Sequence, residues 1–520
     1  MLNRSLVLAS LLLAAFVINL DTTIVNVALP TLVRELHATN SQLQWIVDAY
    51  NLVFAALLLV AGSLSDRLGR KGLLLVGLGL FGLSSALGGL ATSSGQLIAA
   101  RCFMGLGAAM VFPSTLSLIS NVFTERTERA RAIGLWGATA GVAIALGPIV
   151  GGWLLGRFSW ASIFFALAPV AAIAAALVAR YVPRSRDPNA SPVDRLGFAL
   201  STSAMGLIVY TIIEAPDYGW GSPRSIGCFA LGVGLLAAFI AWERRAGEPM
   251  LDVGLFGNPR FTAACAAVTV SFFTLLGFIF VMTQYFQFIK RYDALSAGVH
   301  LLPVAAAVGV SSVLGTKLAV RFGTKLVVAT GLLMVTAFYV WVAAIVTPGT
   351  PYSTIAAQMV LYGTGMGLTS APATEAIMGV VPRAKAGVGS AVNDATRLLG
   401  GTLGVAVIGS VYASIYTSRL TAALPGRLPQ ALGTLAHSSV GAALGVAEHL
   451  SEAGHASLGA AVEHAASASF IKGLSAGCLV AAGVAAVGAV AAAALLPAQP
   501  SPALDGDLDS AEPAVRTAVG

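Results

Sequence analysis

The stretch Ala61–Gly77, AGSLSDRLGRKGLLLVG, places four charged residues within one short turn between two apolar segments. The turn contains Gly62, Asp66, Arg67, Gly69, Arg70 and Lys71. Charged residues make up only 10% of the 520-residue chain, so this concentration of charge is unusual. It predicts a short loop between two membrane helices, whose cations hold it on the cytoplasmic side.

The composition of the chain supports the same conclusion. Hydrophobic residues make up 57% of the sequence, and the mean hydropathy is +0.83. Apolar stretches of about 20 residues, each long enough to cross a bilayer as a helix, recur along the chain. The 57 glycines are typical of membrane helices, where small residues allow close packing. We therefore expect an all-α polytopic membrane protein.

The apolar segments predict fourteen transmembrane helices in two bundles. We expect an N-terminal six-helix bundle over 1–181, two inserted transmembrane helices over 182–250, and a C-terminal six-helix bundle over 251–497. Residues 417–471 predict a solvated extracytoplasmic loop or hairpin rather than a binding domain. The polar residues 498–520 predict a disordered cytoplasmic tail.

The positions of the cations predict the orientation. With a cytoplasmic N-terminus, 20 of the 30 Lys and Arg residues lie on the cytoplasmic side and 8 on the outer side. The even number of spans then places both termini in the cytoplasm. Because the net charge of +7 is distributed over short loops, it does not indicate a nucleic-acid partner.

A second loop resembles the first. The stretch Gly315–Val328, GTKLAVRFGTKLVV, aligns Arg321–Lys325 with Arg67–Lys71 at an offset of 254 residues. Asp66 falls opposite Val320, so the second copy is degenerate. Internal duplication is typical of secondary transporters, whose two halves rock around a central site.

Four stretches together resemble a known family. GSLSDRLGRK resembles the loop motif of the major facilitator superfamily. Three others resemble motifs of its drug:proton antiporter branch: LDTTIVNVALP (Leu20–Pro30), RCFMGLGAAM (Arg101–Met110) and GVAIALGPIVGG (Gly141–Gly152). Fourteen spans narrow the resemblance to the fourteen-span drug:proton antiporters, which are multidrug efflux proteins. The chain departs from that pattern at Ala143, where glycine is usual, and at Trp160–Ser162, where Trp-Arg-Trp is common.

The resemblance implies a major facilitator fold and a proton-coupled antiporter that exports amphipathic, cationic drugs across the bacterial plasma membrane. It also implies that the six residues of the Gly62–Lys71 turn form a latch for the outward-facing state; the alternative is a purely topological role. Gly147, Pro148, Gly151 and Gly152 form the motif of a helix that bends or seals during alternating access.

Ionisable residues inside spans are costly and are therefore functional candidates. For proton coupling we consider Asp21, Arg101, Asp394 and Arg397, and for substrate binding Asp21, Asn26, Asn393 and Asp394. We expect Asp21 to pair with Arg101, while Asp394 and Arg397, three residues apart, can pair on one helix face. In both cases the alternative is a purely structural ion pair.

Other candidates are weaker. Asp48, Glu214 and Glu375 lie near predicted span ends, where a structural role is favoured. For Phe272, Phe273, Met282 and Phe286 we expect lipid-facing packing rather than the lining of a cavity.

The sequence predicts no metal site, no cofactor and no enzymatic activity, because it lacks a phosphate-binding loop and a nucleophile–base constellation. The expected partners are an amphipathic small molecule, protons and membrane lipid, and the chain is expected to be a monomer. Two alternatives remain open: a dedicated exporter of one metabolite or self-made antibiotic, and a non-transporting membrane sensor. Related charge motifs in both halves argue against the sensor.

Overall fold

The computed structural model of the chain describes residues 3–186, 194–247, 251, 253–381, 386–424 and 428–496. Within these ranges the secondary structure is helical, with short turns between the helices. The predicted all-α architecture is therefore confirmed. The tail predicted over 498–520 lies outside the described residues.

The N-terminal bundle consists of long helices joined by short turns. Its elements are α1 (Arg4–Ile24), a 3₁₀ segment (Val25–Ala28), α2 (Leu29–Leu36), α3 (Asn40–Leu68), α4 (Arg70–Gly89), α5 (Ser94–Val122), α6 (Arg126–Leu155) and α7 (Ala161–Tyr181). A capping box starts α3: the Thr39 hydroxyl accepts a hydrogen bond from the Gln42 backbone N–H, and the Gln42 side chain accepts one from the Thr39 N–H. Within the bundle, α5 packs against α3 and α4, and α1 packs against α6 and α7.

The C-terminal bundle follows an inserted pair of helices. The pair is α8 (Arg195–Tyr218) and α9 (Pro223–Glu243). The bundle contains a 3₁₀ turn (Val253–Gly257), α10 (Pro259–Gln284), a π-helical segment (Tyr285–Ile289), α11 (Ala294–His300), α12 (Leu302–Phe322), α13 (Thr324–Ile345), α14 (Tyr352–Val380), α15 (Ala386–Ala423), α16 (Gln430–Ser438), α17 (Val440–Glu452) and α18 (Ala456–Leu495). Within it, α14 packs against α10, α12 and α13, and α15 packs against α10 and α18.

The duplicated loops have the same backbone design. A single glycine separates α3 from α4 and another separates α12 from α13, at Gly69 and Gly323. Both glycines have positive φ angles, 110° and 87°, which L-residues with a Cβ adopt only with strain. The repeat found in the sequence is therefore a repeat of the turn conformation itself.

The predicted loop 417–471 is largely helical. The helix α15 continues to Ala423, and α18 begins at Ala456, well before the predicted end of the loop at residue 471. Hydropathy alone misplaces these ends because Ala-rich segments favour helix whether or not they are apolar enough for a bilayer. Between them, α16 and α17 form a hairpin, and α17 packs against α18 and α2.

By length and composition, fewer helices qualify as membrane spans than the fourteen that the sequence predicts. Among the described residues, twelve helical segments are long and apolar enough to cross a membrane. A thirteenth is α3, if its parts Asn40–Leu58 and Val60–Leu68, bent by 56°, form one span. The 29-residue α14 is not among them, because its glycines and hydroxyl-bearing residues lower its hydropathy.

Candidate transport site

A buried ion pair links α1 to α5 in the N-terminal bundle. Arg101 Nη1 lies 2.5 Å from Asp21 Oδ2, and both side chains are 0% exposed. Arg101 Nε also donates a hydrogen bond to the Ile46 carbonyl at 2.9 Å, and its guanidinium lies 4.4 Å from the centre of the Tyr50 ring. The structure thus brings together the two residues for which the sequence predicted pairing.

The close approach of α5 to α3 explains how the arginine reaches this position. A Cβ on Gly105 would lie 2.6 Å from the Tyr50 carbonyl oxygen, so only glycine fits there. Arg101 is one turn before Gly105 and therefore enters the space between the helices. Asp21 Oδ1 and Arg101 Nη2 have no hydrogen-bond partner in the described part of the chain, so the pair is joined at a single point.

Asp48 is more completely buried in the protein than its position near the predicted end of a span suggested. It is 0% exposed, and within the described ranges neither carboxylate oxygen has a hydrogen-bond partner. Since α3 begins at Asn40, Asp48 is eight residues into the helix, about 12 Å from its end. The inserted helix α8 and α15 pack against this part of α3 and exclude water. Asp48 is thus buried in the protein, while its place near the end of a span stays a prediction.

A second acid–arginine pair lies on α15. Asp394 Oδ1 is 3.6 Å from Arg397 Nη1, and the two side chains are 9% and 28% exposed. The Arg397 guanidinium lies 4.5 Å from the centre of the Phe272 ring on α10. The neighbouring Asn393 accepts a hydrogen bond through Oδ1 from the Thr374 hydroxyl on α14 at 3.2 Å. The pair on α15 thus lies beside residues of α10 and α14.

The aromatic and Met side chains expected to face lipid are instead buried in the protein. Phe272 is 9% exposed, and Phe273, Met282 and Phe286 are buried as well. They line the interior face of α10 and the segment after it, because α14, α15 and α18 cover this helix. Periodicity could not distinguish the two environments, since lipid and a protein core select the same apolar side chains.

The charged turn makes its contacts within the N-terminal bundle. Arg70 Nε lies 2.6 Å from Asp66 Oδ1, and Arg70 Nη1 donates to the Ser185 hydroxyl at 3.0 Å. Lys71 donates to the Ala179 carbonyl at 2.8 Å, while Arg67 is exposed. The resemblance implies a latch in which Asp66 takes part in the outward-facing state. In this conformation it pairs with Arg70 one turn away instead.

The glycine–proline motif on α6 packs against both bundles. Pro148 has no N–H to donate to the Ile144 carbonyl, and that carbonyl accepts a hydrogen bond from the Thr23 hydroxyl on α1 at 3.0 Å instead. On the other side, a Cβ on Gly152 would lie 2.5 Å from the Ala294 carbonyl oxygen. A Cβ on Gly147 would likewise clash with Thr23 of α1, and a Cβ on Gly151 would clash with Ile24.

The bundles meet at the end opposite to the glycine turns. There Gln287 Nε2 donates to the Val27 carbonyl at 2.9 Å, and the Ser410 hydroxyl donates to Gln44 Oε1 at 3.1 Å. The hairpin extends this contact, because Gly441 lies against Val33 of one bundle and Phe288 of the other. The structure is therefore closed at this end.

The inserted pair also contacts both bundles at the closed end. Trp45 on α3 donates through Nε1 to Glu214 on α8 at 2.8 Å. The Ser410 hydroxyl on α15 lies 2.6 Å from the Ile212 carbonyl on the same inserted helix. Glu214 is therefore engaged in a contact between helices, whereas Glu375 on α14 is exposed.

Two duplicated helical bundles, with an acid and an arginine at a site in each, define a membrane transporter. The chain belongs to the Major Facilitator Superfamily, whose family model matches residues 11–405. It is a multi-pass membrane transporter and not an enzyme. Among the described residues there is no group of three or more His, Cys, Asp or Glu that could hold a metal ion.

Relatives and solved structures agree with this assignment. The chain is 37% identical over 405 residues to the multidrug efflux pump LfrA of Mycolicibacterium smegmatis, covering 78% of this chain and 80% of LfrA. It is 34% identical over 392 residues to the methylenomycin A resistance protein of Streptomyces coelicolor, covering 75% and 82%. The solved structure of a bacterial homologue of the human lysosomal transporter Spinster, inward-facing and unoccupied, matches with a TM-score of 0.67. The match covers 96% of this chain and 99% of that chain. Because the sequences are only 18% identical, this likeness shows the fold alone.

Some residues of the site were missed by sequence reasoning. Sequence reasoning did not place Tyr50 in the site, but its ring lies against Arg101. Thr23 is the partner of the carbonyl that Pro148 leaves free. Gln284 is a buried amide at the end of an apolar helix. The signal for Gln284 is available in the sequence, because a polar side chain within an apolar run is costly without a reason.

Proposed function

We propose that this transporter is a proton-coupled antiporter that exports amphipathic, cationic drugs. The observation that carries the proposal is a carboxylate beside an arginine in each bundle, at Asp21 and at Asp394. Carboxylates in membrane spans are costly and typically serve as ion or proton sites. The printed name of LfrA, a multidrug efflux pump, supports drugs as the cargo.

The proposal includes fourteen spans and a cytoplasmic N-terminus in the bacterial inner membrane. The helix α14 has 29 residues, about 43 Å at 1.5 Å per residue, which exceeds the thickness of a hydrocarbon core. It packs against three membrane helices, and its buried polar residues Gln358 and Thr369 contact protein rather than lipid. Counting α14 and the bent α3 supports membership of the fourteen-span branch, with both termini on one side.

With this orientation the closed end faces outward and the structure is inward-facing. The closed contacts involve Gln287, Gly152 and Ser410, while the glycine turns lie at the cytoplasmic end. In the outward-facing state the two bundles approach each other at that end. Asp66 then exchanges its local contact with Arg70 for one across the seam, which is the proposed action of the latch.

The C-terminal pair is the proposed site of cation and proton exchange. Asp394 is buried, but its partner Arg397 is 28% exposed and lies 3.6 Å away, a weaker arrangement than a direct hydrogen bond. A bound organic cation replaces that weak contact, with Asn393 beside it. Protonation of Asp394 removes the negative charge and releases the cation, so that one acid can serve both ligands alternately.

The sealed pair has a different proposed role. Asp21 is held by Arg101, and water does not reach either side chain in this conformation. Movement of α1 against α5 must therefore precede any proton transfer at Asp21. The pair couples proton binding to the helix movement, with Asn26 one turn further along the substrate path.

The test uses purified protein in liposomes that contain a pH-sensitive dye. A proton gradient is imposed, tetraphenylphosphonium is added, and proton movement is compared between wild type, Asp21→Asn and Asp394→Asn. Glu128→Gln is the matched control, because Glu128 forms an exposed ion pair with Arg4. We expect cation-dependent proton movement in wild type and control and its loss in both test variants. Unchanged proton movement in both test variants would sink the proposed coupling.

A second candidate is a dedicated exporter of one antibiotic or metabolite. It is favoured by the similarity to the methylenomycin A resistance protein, whose printed name gives a single compound. The fold and the coupling acids would be the same. A substrate screen with the same liposomes separates the two, because a dedicated exporter moves protons with one compound and not with a range of unrelated cations.

A further inference from the structure

Two buried amides occupy matching places in the two bundles. Asn26 lies in the 3₁₀ segment Val25–Ala28 that interrupts the first long helix of the N-terminal bundle. Gln284 ends α10, directly before the π-helical segment Tyr285–Ile289 in the first long helix of the C-terminal bundle. Each side chain is 1% exposed. Short 3₁₀ and π-helical segments in long helices frequently mark functional sites.

Both amides are oriented in the same way. Asn26 Nδ2 donates to the Thr22 and Thr23 carbonyls at 3.3 and 3.4 Å, and Gln284 Nε2 donates to the Phe280 carbonyl at 3.1 Å. Because a backbone carbonyl can only accept, these contacts fix the nitrogen of each amide toward its own helix. The oxygens, Asn26 Oδ1 and Gln284 Oε1, have no hydrogen-bond partner in the described part of the protein.

The two oxygens lie beside the contact that closes the bundles. Gln287 is three residues after Gln284 and donates its side-chain N–H to the carbonyl of Val27, the residue after Asn26. The 3₁₀ segment also packs directly against α10. Both acceptors therefore lie on the two segments that must separate if the bundles part at this end.

We propose that Asn26 and Gln284 form an uncharged acceptor pair that recognises N–H and O–H donors of the substrate. Protonated amines, amidines and guanidines carry such donors, whereas quaternary ammonium and phosphonium cations do not. A carboxylate such as Asp394 attracts any cation, but a neutral carbonyl oxygen discriminates by donor. This inference rests on the proposed export of cations and adds a preference among them.

The test compares two cations in the reconstituted transporter. Pentamidine carries two amidinium groups, and tetraphenylphosphonium carries no N–H or O–H. Gln284→Met keeps the length of the side chain and removes the acceptor; Asn26→Leu does the same independently in the other bundle. Gln287→Met is the matched control, because that glutamine is a donor to the backbone. For each protein, kcat/KM is measured for both cations.

We expect Gln284→Met and Asn26→Leu each to lower the ratio of kcat/KM for pentamidine to that for tetraphenylphosphonium by about tenfold, the value of one lost hydrogen bond. Gln287→Met changes both values alike and keeps the ratio. A ratio that stays at the wild-type value in both test variants overturns the inference. Wild type that moves neither cation overturns the proposed function and this inference with it, whereas wild type that moves both tests the inference alone.

Discussion

Asp21–Arg101 in the N-terminal bundle and Asp394–Arg397 in the C-terminal bundle are the two candidate coupling pairs, and they differ in origin, distance and exposure. Asp21 and Arg101 come from different helices, lie 2.5 Å apart and are 0% exposed. Asp394 and Arg397 are one turn apart on a single helix, lie 3.6 Å apart and are 9% and 28% exposed. The first pair joins two helices to each other, whereas the second lies on one helix and its arginine is the more exposed partner.

Because the two pairs differ in exposure, we expect the same two kinds of side chain to have different roles in each. A fully desolvated pair is stable only while both partners are present, because each alone is an uncompensated buried charge. In the second pair water reaches the arginine and screens the interaction in part, so a change of charge on one partner should cost less than in the first pair. We therefore expect stability to depend on the first pair and ligand exchange to depend on the second.

The largest expected effect is that of Asp21→Asn. The substitution leaves Arg101 charged and buried, with hydrogen bonds only to Ile46 and the neutral amide. We expect the free energy of unfolding to fall by about 3–5 kcal/mol, as for other broken buried pairs. The measurement is unfolding of the purified protein in detergent by titration with sodium dodecyl sulfate.

The double variant Asp21→Asn with Arg101→Met provides the control. Removing both charges should restore most of the lost stability while proton-coupled transport stays absent. If the single and double variants were equally unstable, the loss would come from packing around α1 and not from the buried charge.

The next effect in size compares the two arginines. Arg101 uses Nη1 for Asp21, Nε for the Ile46 carbonyl and its planar face for Tyr50, and a lysine cannot make all three contacts. We expect Arg101→Lys to cost about 2 kcal/mol of unfolding free energy, since a buried acceptor loses its donor. Arg397→Lys, whose main contacts are Asp394 and the Phe272 ring, should cost less than half as much. Equal losses in the same detergent titration would remove the distinction between the pairs.

The sequence allowed the partners to be predicted but not the difference between them. Motif resemblance and helix spacing were sufficient for Asp21 with Arg101 and for Asp394 with Arg397. Burial depends on which helices cover a residue, and coverage is a property of the whole bundle. Asp48 illustrates this: hydropathy placed it near the end of a span, but α8 and α15 cover it completely.

Helix ends were a second limit of the sequence. The start of α18 at Ala456 was missed because hydropathy detects the bilayer-crossing part of a helix, whereas an Ala-rich sequence continues the helix beyond it. The bend in α3 between Leu58 and Val60 has no proline to announce it. The repeated turns at Gly69 and Gly323, in contrast, followed directly from the sequence, since a local motif determines a local conformation.

Asp394→Asn is expected to separate transport from stability. The carboxylate lies 3.6 Å from an arginine that is 28% exposed, so its removal should lower the free energy of unfolding by less than the removal of the Asp21 carboxylate does. Cation-dependent proton movement in liposomes should nevertheless be lost. The two readouts together are informative: a large loss of stability would make this pair structural, and retained proton movement would place the exchange elsewhere.

The smallest expected effect is that of a third charge pair outside the membrane. Arg291 lies 2.6 Å from Glu463, near the hairpin at the closed end, and the side chains are 60% and 51% exposed. Water screens both charges, so Glu463→Gln should change the free energy of unfolding by less than about 0.5 kcal/mol. This pair separates the effect of distance from that of burial, because it is nearly as short as Asp21–Arg101 but exposed. In the detergent titration, the losses of stability for the three pairs should follow their burial and not their N–O distances. A loss at Glu463 as large as that at Asp21 would show that distance, and not desolvation, governs these charge pairs.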